Sequence, residues 1–228
     1  MFIEFSEDTR FKQKYIEEFA QRFSYFNSIV ESECDKAEIY MANYRAFMNA
    51  LDSKLASLNS PLNGKLSPYD IIGIANDVNK GIYEGYRKIN VQLNAAKNFS
   101  PLHHSLIPNA MNELVYGNYH KIWDILDPYL REAKLHIALV QMQPFENGNK
   151  RTAKILTSIN LIAADLAPIA IPPEQLDEYW SCIDNSSAED LAELFRINSE
   201  AELKEMLELY KRMFTKPIVK KRTIKWKK

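Results

Sequence analysis

One twelve-residue segment, QPFENGNKRTAK at 143–154, concentrates residue types that bind anions. Its turn, Asn-Gly-Asn at 147–149, comes directly before a predicted helix. Such a turn can direct several backbone N–H groups at one position, where the helix dipole adds positive potential. The first turn of that helix carries three cations, Lys150, Arg151 and Lys154. Cations are unfavourable there without a counterion, so the segment predicts a bound anion such as phosphate. The alternative is an ordinary turn with solvated cations.

Helices should position this segment, because only 6 glycines occur in 228 residues and helix-capping signals recur. The pairs at 67–68 (Ser-Pro) and 127–128 (Asp-Pro) each combine an N-cap with a proline at the first helical position. Helices should begin there and end near Asn79 and Gln143. The helix predicted from 127–128 to Gln143 is apolar around much of its circumference, which indicates that it is central and buried. Other helices are predicted at 11–26, 35–55, from the loop to 164, at 187–196 and at 200–214.

Two further patterns complete an all-α, mainly helical prediction for one compact domain. Within 81–99, apolar residues alternate with polar ones from Ile89 to Leu93, and this period of two predicts a short strand or hairpin. The last two helices are predicted from capping boxes at 186–189 and 199–202, each a serine followed three residues later by glutamate.

Composition is that of an ordinary soluble globular protein. The chain has 29 Lys+Arg against 30 Asp+Glu and 46% hydrophobic residues, which excludes collagen-like, disulfide-rich and disordered classes. Cys34 and Cys182 lie far apart and form neither a zinc-binding nor a disulfide pattern. We therefore expect a reducing, cytoplasmic location. No secretory signal is recognisable, and no stretch approaches the roughly 18 apolar residues that a membrane span needs.

Charge is unevenly distributed, although the formal net charge is only -1. Residues 216–228 hold lysines and an arginine but no acidic residue, so the remainder of the chain is acidic. This basic tail could contact nucleic acid, an anionic surface or the acidic body of the protein. A solvated terminus is the alternative.

Residues 143–154 resemble the signature loop of the Fic/Doc (Fido) family, commonly written HPFx(D/E)GN(G/K)RxxR. The preceding LDPYLREAKLHIALVQM resembles the family's buried helix, and GYRKINVQL resembles the hairpin flap that holds a target segment. The resemblance implies a Fic/Fido-type helical core with a short β-hairpin flap. We divide the chain accordingly into N-terminal helices at 1–60, a core at 61–215 and the basic tail at 216–228.

Members of this family are known as transferases that move the AMP moiety of ATP to a Ser, Thr or Tyr hydroxyl of a protein. In that mechanism the motif histidine takes the hydroxyl proton, the acidic residue holds Mg²⁺, and loop amides, asparagine and arginine stabilise the transferred group. The resemblance thus implies ATP with magnesium, and an unknown target protein held at 82–93. The implied nucleotide- and phosphate-binding residues are Asn147, Gly148, Asn149, Lys150, Arg151 and Lys154.

Three departures fall on reactive positions of the motif. Gln143 replaces the histidine, and because a neutral amide cannot accept a proton, a general-base contribution of roughly 10²–10⁴-fold should be lost. Asn147 replaces the acid and removes the charge that Mg²⁺ prefers in a ligand. Lys154 replaces the second arginine, so a point charge stands where the family has a planar fork. Asn149 and Arg151 match the motif and keep the catalytic roles that the resemblance implies.

These departures leave three functions open. The leading hypothesis is a Fic-fold protein that still binds a nucleotide but is impaired in AMP transfer. A second is an active nucleotidyl- or phosphotransferase with an altered mechanism. A third is a non-enzymatic interaction module whose loop binds no nucleotide.

An upstream segment, RFSYFNSIVESE at 22–33, resembles the inhibitory-helix motif (S/T)xxxE(G/N) of one Fic class. The match places Glu31 at the glutamate, with Asn27 and Ser32 at less well matched positions. The resemblance implies an inhibitory Glu31 that reaches the motif cations. The alternative is a solvated helix residue.

Five aromatic or imidazole side chains are further candidates. His136 lies two helical turns before the motif and is interpreted as a packed core histidine with a hydrogen bond. His103 and His104 are adjacent, without an acidic or cysteine partner nearby, so we favour a loop over a metal site. Tyr179 and Trp180 fit an adenine pocket and a hydrophobic core equally well.

Overall fold

The computed structural model describes residues 8–29, 36–58, 65–124 and 126–214, with only the backbone at 55–58. Within these ranges every regular element is helical, which confirms the all-α prediction. The helices are α1 Thr9–Ile29, α2 Lys36–Leu58, α3 Pro68–Val78, α4 Ile107–Asn112, α5 His120–Ile122, α6 Pro128–Met142, α7 Asn149–Ala163, α8 Leu176–Asp184 and α9 Ala188–Phe214. A π-helical segment, Glu113–Tyr119, joins α4 to α5.

The predicted caps begin α3 and α6. The backbone N–H of Asp70 donates to Ser67 Oγ at 3.3 Å, and the backbone N–H of Ser67 donates to Asp70 Oδ2 at 2.7 Å. At α6 the N–H of Leu130 donates to Asp127 Oδ2 at 3.2 Å. A proline follows each cap, where its missing N–H costs nothing. These contacts fix the start of the two helices that lead into the functional loop.

Helix α6 lies at the centre, packed against α7, α8 and α9, while α2 packs against α1, α3 and α7. Aromatic side chains join α1 to α2: the Phe47 ring centroid lies 5.2 Å from that of Phe19 and 5.6 Å from that of Phe23. All three side chains are buried. Burial of such rings is a large favourable contribution to folding, so the apolar stripe of α1 holds that helix against the core.

The prediction of two C-terminal helices was wrong, because α9 is continuous from 188 to 214. Both members of the second predicted capping box make tertiary contacts instead. Ser199 Oγ donates to the backbone oxygen of Ala167 at 2.7 Å, and Glu202 forms a salt bridge with Arg22 of α1. Because the Ser199 hydroxyl donates to Ala167 O, it does not take hydrogen bonds away from the backbone of α9, and the helix continues.

The predicted β-hairpin flap is also wrong, since the segment 81–99 forms turns and bends and no strand among the described residues. Backbone N–H groups of this segment donate hydrogen bonds to acceptors elsewhere in the chain instead of to a partner strand. The N–H of Arg87 donates to Pro144 O at 3.0 Å, and those of Lys97 and Asn98 donate to Asp184 Oδ1 at 2.8 and 3.1 Å. Without a partner strand the alternating pattern buries no face, and Ile89 is 60% exposed.

Several predictions fall outside the described residues. These concern Glu31 and Ser32, Cys34, and the basic tail at 216–228. Across the described ranges, no helix is both long enough and apolar enough to cross a membrane.

Candidate functional site

The functional loop begins where α6 ends, at Gln143. This residue has φ 49° and ψ 60°, a left-handed conformation that ends helices but is uncommon for a residue other than glycine. Its N–H still donates to Leu139 O at 3.2 Å, and its carbonyl oxygen accepts a hydrogen bond of 2.6 Å from Arg87 Nε. The chain therefore turns sharply out of α6 and is held there by a neighbouring segment.

The Gln143 side chain is buried inside the loop, 8% exposed, with both ends of its amide in use. Its Nε2 donates to the backbone oxygen of Val140 at 2.6 Å, and its Oε1 accepts from Asn149 Nδ2 at 2.9 Å. Gln143 is thus a structural member of the loop as well as the residue at the family's histidine position.

Asn149, at the start of α7, closes the loop. Its Oδ1 accepts from the backbone N–H of Phe145 and its Nδ2 donates to the backbone oxygen of Phe145, both at 2.9 Å. One side chain therefore satisfies both backbone polar groups of one loop residue, as well as Gln143. This accounts for its burial, because a buried amide is costly unless its hydrogen bonds are made.

Gly148 allows the loop to lie against α3. Its φ is +74°, and a Cβ at this position would lie 2.5 Å from Val78 Cγ1. The next residue after α3, Asn79, donates from Nδ2 to the backbone oxygen of Asn147 at 3.0 Å. A glycine is required here both for the left-handed backbone and for the close approach.

The N-terminus of α7 carries no side-chain cap, since Gly148 is its N-cap residue. The first helical bond runs from the N–H of Thr152 to the oxygen of Gly148 at 2.8 Å. The N–H groups before Thr152 lie ahead of the helical ladder, at the positive end of the helix dipole. This geometry favours an anion, as the sequence predicted.

The three motif cations differ in burial. Arg151 and Lys154 are 6% and 4% exposed, whereas Lys150 is exposed and its Nζ lies 5.8 Å from the centre of the Trp180 ring. Lys154 Nζ lies 4.7 Å from the centre of the Tyr179 ring. The alternative of an ordinary turn with solvated cations therefore fails for two of the three.

Helix α1 reaches this site through Asn27. Its Oδ1 accepts from Lys154 Nζ at 3.1 Å, and its Nδ2 donates to Phe23 O within α1 at 2.8 Å. The upstream segment singled out in the sequence thus contacts the residue at the second arginine position of the motif.

These elements enclose a cavity of about 470 Å³. Its lining residues are Asn27, Leu93, Ala95, Gln143, Glu146, Asn147, Gly148, Asn149, Lys150, Arg151, Lys154, Leu176, Asp177, Tyr179 and Trp180. Every predicted motif residue is among them, and so are both candidate aromatics. The size falls within the usual range of small-molecule sites, and the lining combines the three cations with apolar and aromatic side chains.

Asn147 is a poor magnesium ligand in this arrangement. Its Oδ1 accepts from the N–H of Gly148 at 2.6 Å and from Arg151 Nη2 at 3.4 Å. No cluster of His, Cys, Asp or Glu suited to a metal occurs among the residues described. Because Mg²⁺ prefers carboxylate and water oxygens and an arginine lies beside this amide oxygen, Asn147 does not fit the ion.

His136 is the buried core histidine that the sequence indicated. Its Nδ1 lies 2.9 Å from Thr157 Oγ1, and its Nε2 lies 2.8 Å from the hydroxyl of Tyr179. Burial, with a smaller effect of the Lys154 cation, lowers the pKa of His136 to about 3. A neutral imidazole therefore supports Tyr179 from behind the cavity wall.

His103 and His104 lie in a loop and a short turn, with ring centroids 4.5 Å apart. Their Nδ1 atoms lie 2.9 Å from Ser105 Oγ and 3.0 Å from Asn90 Oδ1, respectively. These local hydrogen bonds agree with the loop interpretation.

Sequence reasoning missed Arg87 and Asn79, which hold the loop from outside. Arg87 is 2% exposed and contacts the backbone of the loop, as Asn79 does. The only available signal was an arginine in the segment GYRKINVQL, and nothing in its spacing distinguishes a buried arginine from a solvated one.

Comparison with known proteins gives a consistent result. Residues 65–161 match the model of the Fic/DOC family. The chain is 26% identical over 98 residues to protein adenylyltransferase fic-1 of Caenorhabditis elegans, which is 43% of this chain and 19% of that protein. The matched region thus spans less than a fifth of that relative.

Two solved structures share the fold. A Fic domain containing signaling protein from Bacteroides thetaiotaomicron superimposes with a TM-score of 0.69 at 17% identity, covering 90% of each chain. The N-terminal Fic domain of a VirB-translocated effector from Bartonella quintana, solved with bound ADP, gives a TM-score of 0.52 at 15% identity, covering 76% of this chain and 92% of the other. At these identities the likeness concerns the fold alone.

Proposed function

We propose that this chain, whose residues 65–161 form a Fic/DOC family domain, binds the phosphates of a nucleotide at the N-terminus of α7 and is impaired in transferring AMP. The main support for this proposal is the cavity of about 470 Å³. It is lined by the uncapped N-terminal end of α7 and by the cations Lys150, Arg151 and Lys154. An anionic group there lies at the positive end of the α7 dipole and beside three cations. The ADP bound by the Bartonella quintana Fic domain supports the same ligand class.

The nucleotide has one favoured orientation in this cavity. Phosphates belong beside Arg151 and the first turn of α7, because the positive charge is concentrated there. The base belongs on the side of Leu93, Leu176 and Trp180, where apolar surface and an indole ring can cover it. An adenosine nucleotide, with its anionic phosphates and its aromatic base, fits a lining that offers both cations and apolar surface.

The proposed impairment rests on Gln143. A general base must accept a proton within hydrogen-bonding reach of the substrate, and the Gln143 amide is neutral and already bonded to Asn149 and Val140. Asn147 does not fit a magnesium ion either, because Arg151 lies beside its only side-chain oxygen. The loop can therefore bind and orient a nucleotide while lacking the proton acceptor that the family's mechanism requires.

Two further parts of the proposal extend from this site. The segment 82–93 would hold a target protein, since Arg87 anchors it directly on the loop. Glu31 would regulate the site, as the contact of Asn27, four residues earlier, with Lys154 supports.

Calorimetric titration with ADP and ATP, with and without magnesium, tests nucleotide binding. We compare the wild-type chain with Arg151→Gln and with a matched control, Arg196→Gln, whose side chain makes surface ion pairs with Asp127 and Glu193. Loss of the charged contact should weaken binding by about tenfold or more in Arg151→Gln and leave the control unchanged. Absence of binding in the wild-type chain and in a Glu31→Gly variant would refute nucleotide binding.

A further inference from the structure

Arg87 is buried beside the functional loop and uses every nitrogen of its guanidinium group. Nε donates to Gln143 O at 2.6 Å, Nη1 donates to Ile89 O at 2.5 Å, and Nη2 donates to Leu102 O. Its backbone N–H also donates to Pro144 O at 3.0 Å. One residue thus joins the loop, its own segment and the segment around residue 102.

The acceptors are all backbone carbonyls. A buried cation is costly unless its donors are satisfied, and the fixed fork of a guanidinium group satisfies several carbonyls in different directions at once. A lysine in the same place could not reproduce this set, because its ammonium group is a single point charge on a flexible stem. The chemistry of the site is therefore specific for arginine.

Arg87 bonds to the loop at the point where the loop backbone is left-handed. Gln143 is left-handed, and Arg87 bonds two consecutive carbonyls, those of Gln143 and Pro144. These two bonds fix the orientation of two consecutive peptide groups, 143–144 and 144–145. The direction in which the side chain at position 143 leaves the backbone is thereby fixed as well.

The two residues before Arg87 make further contacts with the loop and with α3. The ring of Tyr86 stacks on that of Phe145 with centroids 6.1 Å apart and an interplanar angle of 25°. The N–H of Gly85 donates to Asn76 Oδ1 at 3.0 Å. Tyr86 and Arg87 therefore contact the loop directly, while Gly85 joins the same segment to α3.

We propose that Arg87 is a positioning residue that holds residue 143 in its left-handed conformation and couples the segment 82–93 to the nucleotide-binding loop. The first part stands on the contacts above. The second part, that this coupling affects nucleotide affinity, rests on the function proposed in the preceding subsection.

Amide hydrogen exchange followed by NMR tests the positioning role. The reporters are the N–H groups of Phe145 and Gly148, which bond within the loop and not to Arg87. In Arg87→Ala their exchange should accelerate by about tenfold or more, because the charge-assisted bonds that hold the turn are lost. Arg131→Lys is the matched control: Arg131 is also buried, and it donates to Glu132 and to Trp123 O, away from the loop.

Chemical rescue separates positioning from general stabilisation. N-methylguanidinium should restore slow exchange at both reporters in Arg87→Ala, while sodium chloride at equal ionic strength should not, and neither should alter Arg131→Lys. Equal acceleration at the reporters in Arg131→Lys, or no acceleration in Arg87→Ala, overturns the proposal. If Arg87→Ala does not fold, Arg87→Lys is measured instead, and the same acceleration is expected because a lysine cannot hold all three carbonyls.

An ATP titration of the same variants tests the coupling. A weaker affinity in Arg87→Lys than in Arg131→Lys is expected, and equal affinities contradict the coupling. If the wild-type chain binds no ATP, the proposed function fails, while the exchange measurements still decide whether Arg87 positions residue 143.

Discussion

Asn149 Nδ2 donates a hydrogen bond of 2.9 Å to Gln143 Oε1, so the residue at the histidine position of the motif is bonded to the asparagine that closes the loop. Both residues are buried, and the amide of each makes further bonds to loop or helix backbone. Gln143 therefore contributes to the shape of the loop without offering a proton acceptor. The side chain at the position of the family's base thus takes part in the hydrogen bonds that shape the loop.

Two substitutions test the proposed impairment. Gln143→His with Asn147→Asp should raise the transfer of labelled AMP from ATP to protein by roughly 10²–10⁴-fold over the wild-type chain, since a base and a carboxylate are both supplied. Gln143→His alone should gain less, because Asn147 offers no charge to a metal ion. Label transfer is measured with magnesium and cell extract.

Gln143→Met, which supplies no base, is the control and should stay at the wild-type level. Efficient transfer by the wild-type chain would show that Gln143 does not limit the reaction. A silent double variant that still binds ATP would place the limitation elsewhere in the site.

Local signals in the sequence predicted the parts of this site that depend on local physics. Caps at Ser67 and Asp127 act within one helical turn, and the turn before α7 places its N–H groups by backbone geometry alone. The loop cations also lie within one short segment of the chain, at 150–154. These predictions needed no knowledge of distant neighbours.

Tertiary contacts account for what the sequence could not predict. Ser199 matches a helix start, yet its hydroxyl bonds Ala167 O, and α9 continues through it. The alternation near Ile89 matches a strand, but no partner strand is present among the described residues, and Asp184 and Arg87 satisfy the backbone there instead. In both cases a residue distant in sequence decides which local preference is realised.

Gly148→Ala should destabilise the protein more than Gly81→Ala. Both glycines have positive φ, +74° and +69°, so both substitutions carry a backbone cost of about 1 kcal/mol. Only at Gly148 does the new Cβ meet a neighbour, Val78 Cγ1 at 2.5 Å, whereas at Gly81 the nearest atom lies at 3.8 Å. Overpacking should add about 1–3 kcal/mol to the loss of unfolding free energy, measured by urea denaturation.

Adding Val78→Ala should recover part of the loss in Gly148→Ala, because it removes the atom that the new Cβ meets. Equal losses in the two glycine variants would mean that the loop shifts freely away from α3. That result would contradict the close packing of Gly148 on Val78.

The unfolding free energy should decrease at acidic pH because His136 binds a proton more readily in the unfolded chain than in the folded protein. The folded protein keeps this imidazole neutral down to a pKa of about 3, while in the unfolded chain it binds a proton near its ordinary pKa of about 6.5. Between these values the unfolded state holds one proton more, so the unfolding free energy decreases as the pH falls, by about 1.4 kcal/mol per pH unit.

His136→Gln removes the titrating group and should show a correspondingly shallower slope between pH 6 and pH 5, measured by urea denaturation of both proteins. Other titrating groups are common to the two proteins and largely cancel in the comparison. Parallel slopes would show that His136 is protonated in the folded state within this range.

Lys154→Met should raise the pKa of His136 and weaken ATP binding at the same time. The Lys154 cation is the second cause, after burial, of the low pKa of His136, and its ammonium group also lines the nucleotide cavity. Removing it favours the protonated imidazole and removes a cation from the phosphate side. NMR titration of the imidazole and calorimetry with ATP measure the two effects.

Lys150→Met is the matched control, since Lys150 is exposed and is not among the causes of the His136 shift, so it should leave that pKa unchanged. An unchanged His136 pKa in Lys154→Met would show that burial alone keeps the imidazole neutral.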